Sequence, residues 1–208
     1  MSDASPRQAR RKAQTRARIL QAADRLFADR GYAETSIEDI SEAADVAVRT
    51  IYTHFPSKAA VLLSHFDGWL DALVDGILAR PVDEPIAQAI AASLRAMNEG
   101  GWADRSYGRT SGSPPTALGL VTGPPEVAGH MMHAWMRAQD RIAADASERG
   151  SYEPGSLEPQ ARATAVFAAC IGPILAGGSG AGAAVLPEDA TANSLVAEFA
   201  ARLTRGNL

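Results

Sequence analysis

The chain has 208 residues, 46% of them hydrophobic and 6% aromatic, with 20 Lys+Arg against 24 Asp+Glu, the profile of a globular protein with room for one large core or two small ones. No run of about eighteen apolar residues occurs, and none follows the basic N-terminus as in a signal peptide, so a cytoplasmic protein without a membrane partner is expected. The single cysteine, Cys170, excludes an internal disulfide and any zinc site built on several thiolates, and neither a metal nor a cofactor is expected.

The charge is unevenly placed. Residues 1–60 carry a net +2 and residues 61–208 a net −6. In the first eighteen positions Arg7, Arg10, Arg11, Lys12, Arg16 and Arg18 face Asp3 alone, either as an arm for a polyanion or as a solvated tail.

Ile19, Leu20, Ala23, Leu26 and Phe27 then recur at helical spacing and predict an amphipathic helix over 15–30, ended by Gly31 as a left-handed cap. Thr35 and Glu38 have the spacing of a capping box opening a short second helix with Ile37, Ile40, Ala43 and Ala44 inward. Asp45, tolerable in the left-handed region, marks a tight turn before a third helix over 48–55, which Pro56 stops and after which Ser57 caps the next. Residues 58–80 read as one helix with a wide apolar stripe that includes Val61, Phe66, Trp69, Leu70 and Leu73, followed by a break at 81–85 and a helix over 86–98. A Gly/Pro/Ser-rich stretch fills 100–125. Helices follow over 126–149, with Met131, Met132, Trp135 and Met136, then over 160–176 and 190–204, the last two separated by the glycine-rich run 177–182. The expectation is an all-α protein of about nine helices, with a smaller N-terminal domain over 1–57 that takes in the basic arm and the first three helices, and a larger helical domain over 58–208.

Two short helices joined by a tight turn match the helix-turn-helix geometry that places a helix in the DNA major groove. In the third helix Val48, Ile51, Tyr52 and Phe55 fall at i, i+3, i+4 and i+7 and are predicted inward, leaving Arg49, Thr50, Thr53 and His54 to point away together. The stretch 17–63, ARILQAADRLFADRGYAETSIEDISEAADVAVRTIYTHFPSKAAVLL, resembles the N-terminal DNA-binding domain of tetracycline-repressor (TetR) family regulators. The resemblance implies a dimeric, all-helical transcription factor, usually a repressor, whose C-terminal domain binds a small molecule that alters affinity for a palindromic operator in double-stranded DNA. It places Ser36 near a phosphate at the start of the second helix, Val48, Arg49 and Thr50 toward the bases, and Tyr52, Thr53, His54 and Lys58 on the DNA backbone. The chain departs from the family pattern at Asp45, where glycine is usual, at Ala47, where a serine cap is usual, and at Glu38, where some members carry a base-reading arginine.

Phe66, Trp69, Trp102, Tyr107, Met132, Trp135, Met136 and Phe167 are candidates to line an apolar effector cavity, since aromatic and methionine side chains adapt to varied ligands; each is equally a candidate for plain core. His130 and His133 lie one turn apart but lack an evident third ligand, so they read as helix-face histidines. Asp67, Asp71 and Asp75 at i, i+4 and i+8 are expected to face water. A homodimer is expected through the last two helices, by a small-residue face of Ala165, Ala168, Ala169 and Gly172 and an apolar stripe of Leu195, Val196, Phe199 and Leu203. No catalytic constellation is evident, so a ligand-responsive regulator is favoured over the alternative, a helical-domain enzyme or carrier with an appended DNA-binding unit.

Overall fold

The computed structural model describes residues 6–101 and 123–178. Among the described residues the chain is all-helical, in eight helices: α1 (Pro6–Arg30), α2 (Ile37–Ala43), α3 (Val48–His54), α4 (Lys58–Leu62), α5 (Ser64–Leu78), α6 (Ile86–Glu99), α7 (Pro125–Arg149) and α8 (Glu158–Gly178). The helix expected over 190–204 lies outside the described residues, and so does all of the glycine-rich run beyond Gly178. Gly177 and Gly178 themselves continue α8. No described helix is long and apolar enough to cross a membrane.

Two compact units divide the chain at Ser64/His65, later than the expected 57/58 boundary. The shift has a packing cause. Ala60 and Val61 of α4 are buried in the same cluster as Ile19, Ile40, Ile51 and Phe55, so α4 completes the core of the first unit. The helix expected over 58–80 is correspondingly two helices, interrupted at Leu63 with φ −90° and ψ 8°, in the sparsely populated bridge region.

In the first unit α1 is nine residues longer at its start than periodicity predicts, because residues 6–14 are helical although none is buried. Its end follows prediction. Gly31 takes φ +82° and its N–H bonds to the Phe27 carbonyl at 3.0 Å, a conformation that a side chain would strain. The α2 cap differs from expectation by one residue. Ser36, not Thr35, is the N-cap, and its partner is Asp39, not Glu38: the Ser36 hydroxyl accepts from the Asp39 N–H at 3.0 Å, and the Asp39 carboxylate accepts from the Ser36 N–H at 2.8 Å. Thr35 is buried and its hydroxyl donates backward, to Gly31 O at 2.8 Å and toward Leu26 O at 3.3 Å, satisfying carbonyls at the end of α1. Two hydroxyls in succession therefore serve two different helices.

The second unit packs α5, α6, α7 and α8 around Leu73, Val74, Ile90, Leu94, Trp135, Ile142 and Val166. Gly76 permits close approach of α5 to α6, since a Cβ there would meet the Ser93 Cβ at 2.9 Å. The end of α5 and its connection to α6 are held by arginines from afar: Arg149 of α7 donates to Leu78 O at 3.0 Å and Arg80 O at 3.2 Å, while Arg162 of α8 donates to Glu84 O, just before α6, at 2.7 Å. Asp67, Asp71 and Asp75 do more than face water. Asp67 bonds His130 at 2.8 Å, and Arg141 takes both Asp71, at 3.2 Å, and Asp75, so the row ties α5 to α7. The two Arg141 pairs, being exposed, stabilise by about 0–1 kcal/mol each and act mainly on register.

Candidate functional site

The turn that delivers α3 is built without the usual glycine. Asp45 occupies the left-handed region with φ 49°, which costs an aspartate less than most residues. Arg18 of α1 reaches across to it, donating to Ala44 O at 2.5 Å and Asp45 O at 2.9 Å and pairing with the Asp45 carboxylate at 3.3 Å. Ser41 Oγ adds a bond to Val46 O at 2.6 Å. Sequence reasoning missed Arg18, because the contact joins residues 27 apart and no local pattern carries it. Ala47, the α3 N-cap, makes no side-chain capping bond.

Ile51 and Phe55 are buried and Val48 is half-buried, which seats α3 on α1 and α2. Tyr52 departs from the predicted inward face: it is 52% exposed. In a seven-residue helix centred on Ile51 the next position is turned by about 100°, and Phe55, in the extended C-cap conformation, fills the seat beyond Ile51. The outward face is thus Arg49, Tyr52 and Thr53, all exposed, with Thr50 and His54 half-buried beside them. Thr53 Oγ1 donates to Arg49 O at 2.9 Å, so its hydroxyl offers acceptor lone pairs and its methyl rather than a free proton. Burial, then the charges of Lys12 and Arg16, lower the His54 pKa below its ordinary value. His54 is therefore neutral at neutral pH, with one ring nitrogen a donor and the other an acceptor.

Two residues that the resemblance sets against phosphate are engaged elsewhere. The Ser36 hydroxyl donates to the Asp39 carboxylate at 2.7 Å, and the two bonds from Ser36 hold the Asp39 carboxyl below the usual carboxylate range. Lys58 turns its ammonium onto Tyr32 O at 2.8 Å and Thr35 O at 2.9 Å and lies 4.2 Å over the Tyr32 ring. Two of its three donors are thereby committed to the connection between α1 and α2. Lys58→Met is accordingly expected to destabilise the first unit by about 1–3 kcal/mol, the cost of leaving partly buried carbonyls unpaired, and to leave the salt dependence of any DNA binding unchanged. Chemical denaturation with a parallel salt titration checks both; a flattened salt dependence at unchanged stability would return Lys58 to a phosphate role.

In the second unit, Phe66 and Trp69 of α5, Trp135 of α7 and Phe167 of α8 meet as one aromatic group. Trp135 has ring centroids at 6.0 Å from Phe66, 6.5 Å from Trp69 and 5.4 Å from Phe167, each edge-on, and Phe66 stacks with Trp69 at 6.4 Å. Trp135 is only 2% exposed, yet its indole Nε1 has no hydrogen-bond acceptor among the described residues. A buried indole N–H normally finds a partner. Met132 and Met136 do not belong to this group, contrary to expectation: they are 51% and 53% exposed. The inward line of α7 runs through Val127, Met131, Ala134, Trp135, Ala138 and Ile142, which turns positions 132 and 136 outward. Trp102 and Tyr107 lie outside the described residues. His130 bonds Asp67 and His133 is exposed. Of the small-residue face on α8, Ala169 is buried in this unit's own core with Ala163, Val166 and Cys170, whereas Ala165 and Ala168 are half-buried. Leu195, Val196, Phe199 and Leu203 lie outside the described residues. Burial raises the Cys170 thiol pKa and keeps it protonated.

Residues 19–64 match the family model described as bacterial regulatory proteins of the tetR family, and residues 84–175 match that of the MftR C-terminal domain. Among curated proteins the chain is 34% identical over 88 residues to the transcriptional regulator TcmR of Streptomyces glaucescens, covering 42% of this chain and 39% of TcmR. It is 44% identical over 54 residues to TtgR of Pseudomonas putida, 26% of each chain. The chain thus spans about two fifths or less of the length of these relatives. Among solved structures it resembles the transcriptional repressor FadR of Thermus thermophilus, crystallised with lauroyl-CoA, with a TM-score of 0.53 at 23% identity over 93% of this chain and 95% of that one. The fatty acid degradation regulator FadR of Bacillus halodurans gives 0.53 at 20% identity over 92% and 95%. An all-helical fold whose first unit presents a short polar-faced helix after a tight turn, matched across both units by the two family models, makes this chain a member of the TetR family of transcriptional regulators.

Proposed function

We propose that the protein is a repressor that reads a palindromic operator as a homodimer and is released from it by a small, largely apolar molecule. The observation that carries the DNA-reading half is the outward face of α3, where Arg49, Tyr52 and Thr53 stand exposed on a helix anchored by buried Ile51 and Phe55. Arg49 suits bidentate bonding to a guanine edge, Thr50 and Val48 suit a thymine methyl, and Tyr52, Thr53 and neutral His54 suit the backbone. Two such units on a two-fold axis obtain specificity from two half-sites. The partly exposed small residues Ala165 and Ala168, with the stripe at Leu195, Val196, Phe199 and Leu203, are the proposed interface; a monomer by light scattering at micromolar concentration would remove that part.

The effector half rests on the aromatic group Phe66, Trp69, Trp135 and Phe167, in which the Trp135 N–H is unmatched among the described residues and fits an apolar molecule carrying one hydrogen-bond acceptor. Phe66 and Trp69 follow the DNA-binding unit by only two and five residues along the chain. An effector that favours one arrangement of α5 by about 1–3 kcal/mol would change operator affinity roughly 5- to 150-fold.

The test is a gel shift with DNA from upstream of the protein's own gene, repeated with Arg49→Ala. A specific band is expected for the wild type, with the variant weaker by about 1–3 kcal/mol and indifferent to the base at one position of each half-site. Absence of a specific band would favour the enzyme or carrier reading, and equal base preferences in the two proteins would remove Arg49 from base reading.

A further inference from the structure

Arg7, Arg10, Arg11 and Lys12, in the first half of α1, have no acidic partner among the described residues. From Arg7 to Ala23 the sequence has six cations and no acid. Residues 6–14 are helical and exposed throughout, with no acidic residue in the first turn. Positive charge at a helix start opposes the helix dipole, and a helix polar on all sides gains nothing from core packing. The geometry shows where this row leads. The Arg16 guanidinium lies 4.3 Å over the Phe55 ring and donates to Ser64 Oγ at 2.7 Å, while Arg18 holds the Ala44–Asp45 turn. The cations of α1 therefore meet both ends of α3.

Lys12 stands one turn ahead of Arg16 on the same line of the helix, and the two charges together act on His54 at the end of α3. Arg7 and Arg11 share a second line with Arg18, at i, i+4 and i+11. Residues 6–14 extend the helix by about 14 Å, and duplex DNA carries one charge per about 1.7 Å of its axis, so the row spans several phosphates. The only apolar residues in 6–14 are Pro6, Ala9 and Ala13, which leaves no face that a lipid bilayer would take up.

We propose that Arg7, Arg10, Arg11 and Lys12 form a second DNA contact, a helical clasp on the phosphates flanking the base pairs read by α3, which adds affinity without adding sequence preference. The clasp rests on the DNA-binding reading above. Its test measures binding of the full chain to a mixed-sequence duplex by fluorescence anisotropy between about 50 and 200 mM salt. In the variant with Arg7→Gln, Arg10→Gln, Arg11→Gln and Lys12→Gln, the slope of log affinity against log salt should fall by about 2–4, so affinity lost across that range shrinks by roughly 15- to 250-fold. A variant with Arg7→Lys, Arg10→Lys and Arg11→Lys keeps the charge and should keep the wild-type slope. Circular dichroism reports whether helix content is retained, and all four side chains are exposed, so no core is lost.

An unchanged slope in the glutamine variant overturns the clasp, and so does a lysine variant that behaves like the glutamine one. Loss of binding to phosphatidylserine vesicles with an unchanged DNA slope would overturn it in favour of a membrane surface. If the wild type binds no duplex at all, the DNA-binding reading falls and takes the clasp with it; if it binds and the glutamine variant binds identically, only the clasp falls.

Discussion

Ile51→Ala is expected to unfold the first unit under conditions that leave the second folded, and so to abolish DNA binding without touching a DNA-facing atom. Ile51 is fully buried at the centre of α3, and truncating a residue so placed costs about 2–5 kcal/mol in lost burial and residual cavity. That is a large share of what a unit of this size holds in reserve. The chain provides its own reporter, since Trp69, Trp102 and Trp135 all fall after Ser64. Far-UV circular dichroism of the variant should lose helix in an early phase during which tryptophan emission stays constant. Ile51→Val, costing about 0.5–1.5 kcal/mol, should bind DNA nearly as well as the wild type. A single transition in which tryptophan emission follows the circular dichroism would mean that the two cores melt together, and the variant would then say nothing particular about α3.

The second large effect concerns Trp135, where two substitutions separate packing from recognition. Trp135→Ala removes a ring that touches Phe66, Trp69 and Phe167 and should cost about 3–5 kcal/mol. Trp135→Phe keeps an aromatic ring and deletes the N–H, which has no acceptor among the described residues; burying such a group unpaired costs about 1–3 kcal/mol. Relief of that penalty offsets much of the cavity left by the smaller ring, so Trp135→Phe should sit within about 1–2 kcal/mol of the wild type in thermal denaturation. Effector affinity should nevertheless fall about 2- to 12-fold, the worth of one hydrogen bond, read from the change in Trp69 emission on titration. An unchanged affinity would show that the indole N–H is not an effector contact and that the four aromatics are core alone.

What could be read from the sequence was short-range chemistry. Gly31 and Asp45 were legible as left-handed positions because few residues adopt that backbone, and Ser57 as a cap because its hydroxyl meets an N–H three residues on. Helix spacing placed Ile40, Ile51 and Leu73 in cores, and the stretch 17–63 carried the family. These features depend on neighbours within about one helical turn, which a linear pattern records.

Tertiary structure decided every choice between neighbours of similar chemistry. Thr35 and Ser36 both have hydroxyls at the right place for a cap, and the end of α1 claimed Thr35. Tyr52 and Ile51 are both apolar enough to turn inward, and the seat under the middle of α3 went to Ile51. Met131 and Met132 differ by about 100° on α7, so only the position of the facing helices made one core and the other surface. The inward turn of Lys58, the Arg18 clamp on the turn and the aspartate row of α5 all join residues more than twenty positions apart. Such contacts depend on where a helix arrives after several turns of chain, and local periodicity carries no record of that.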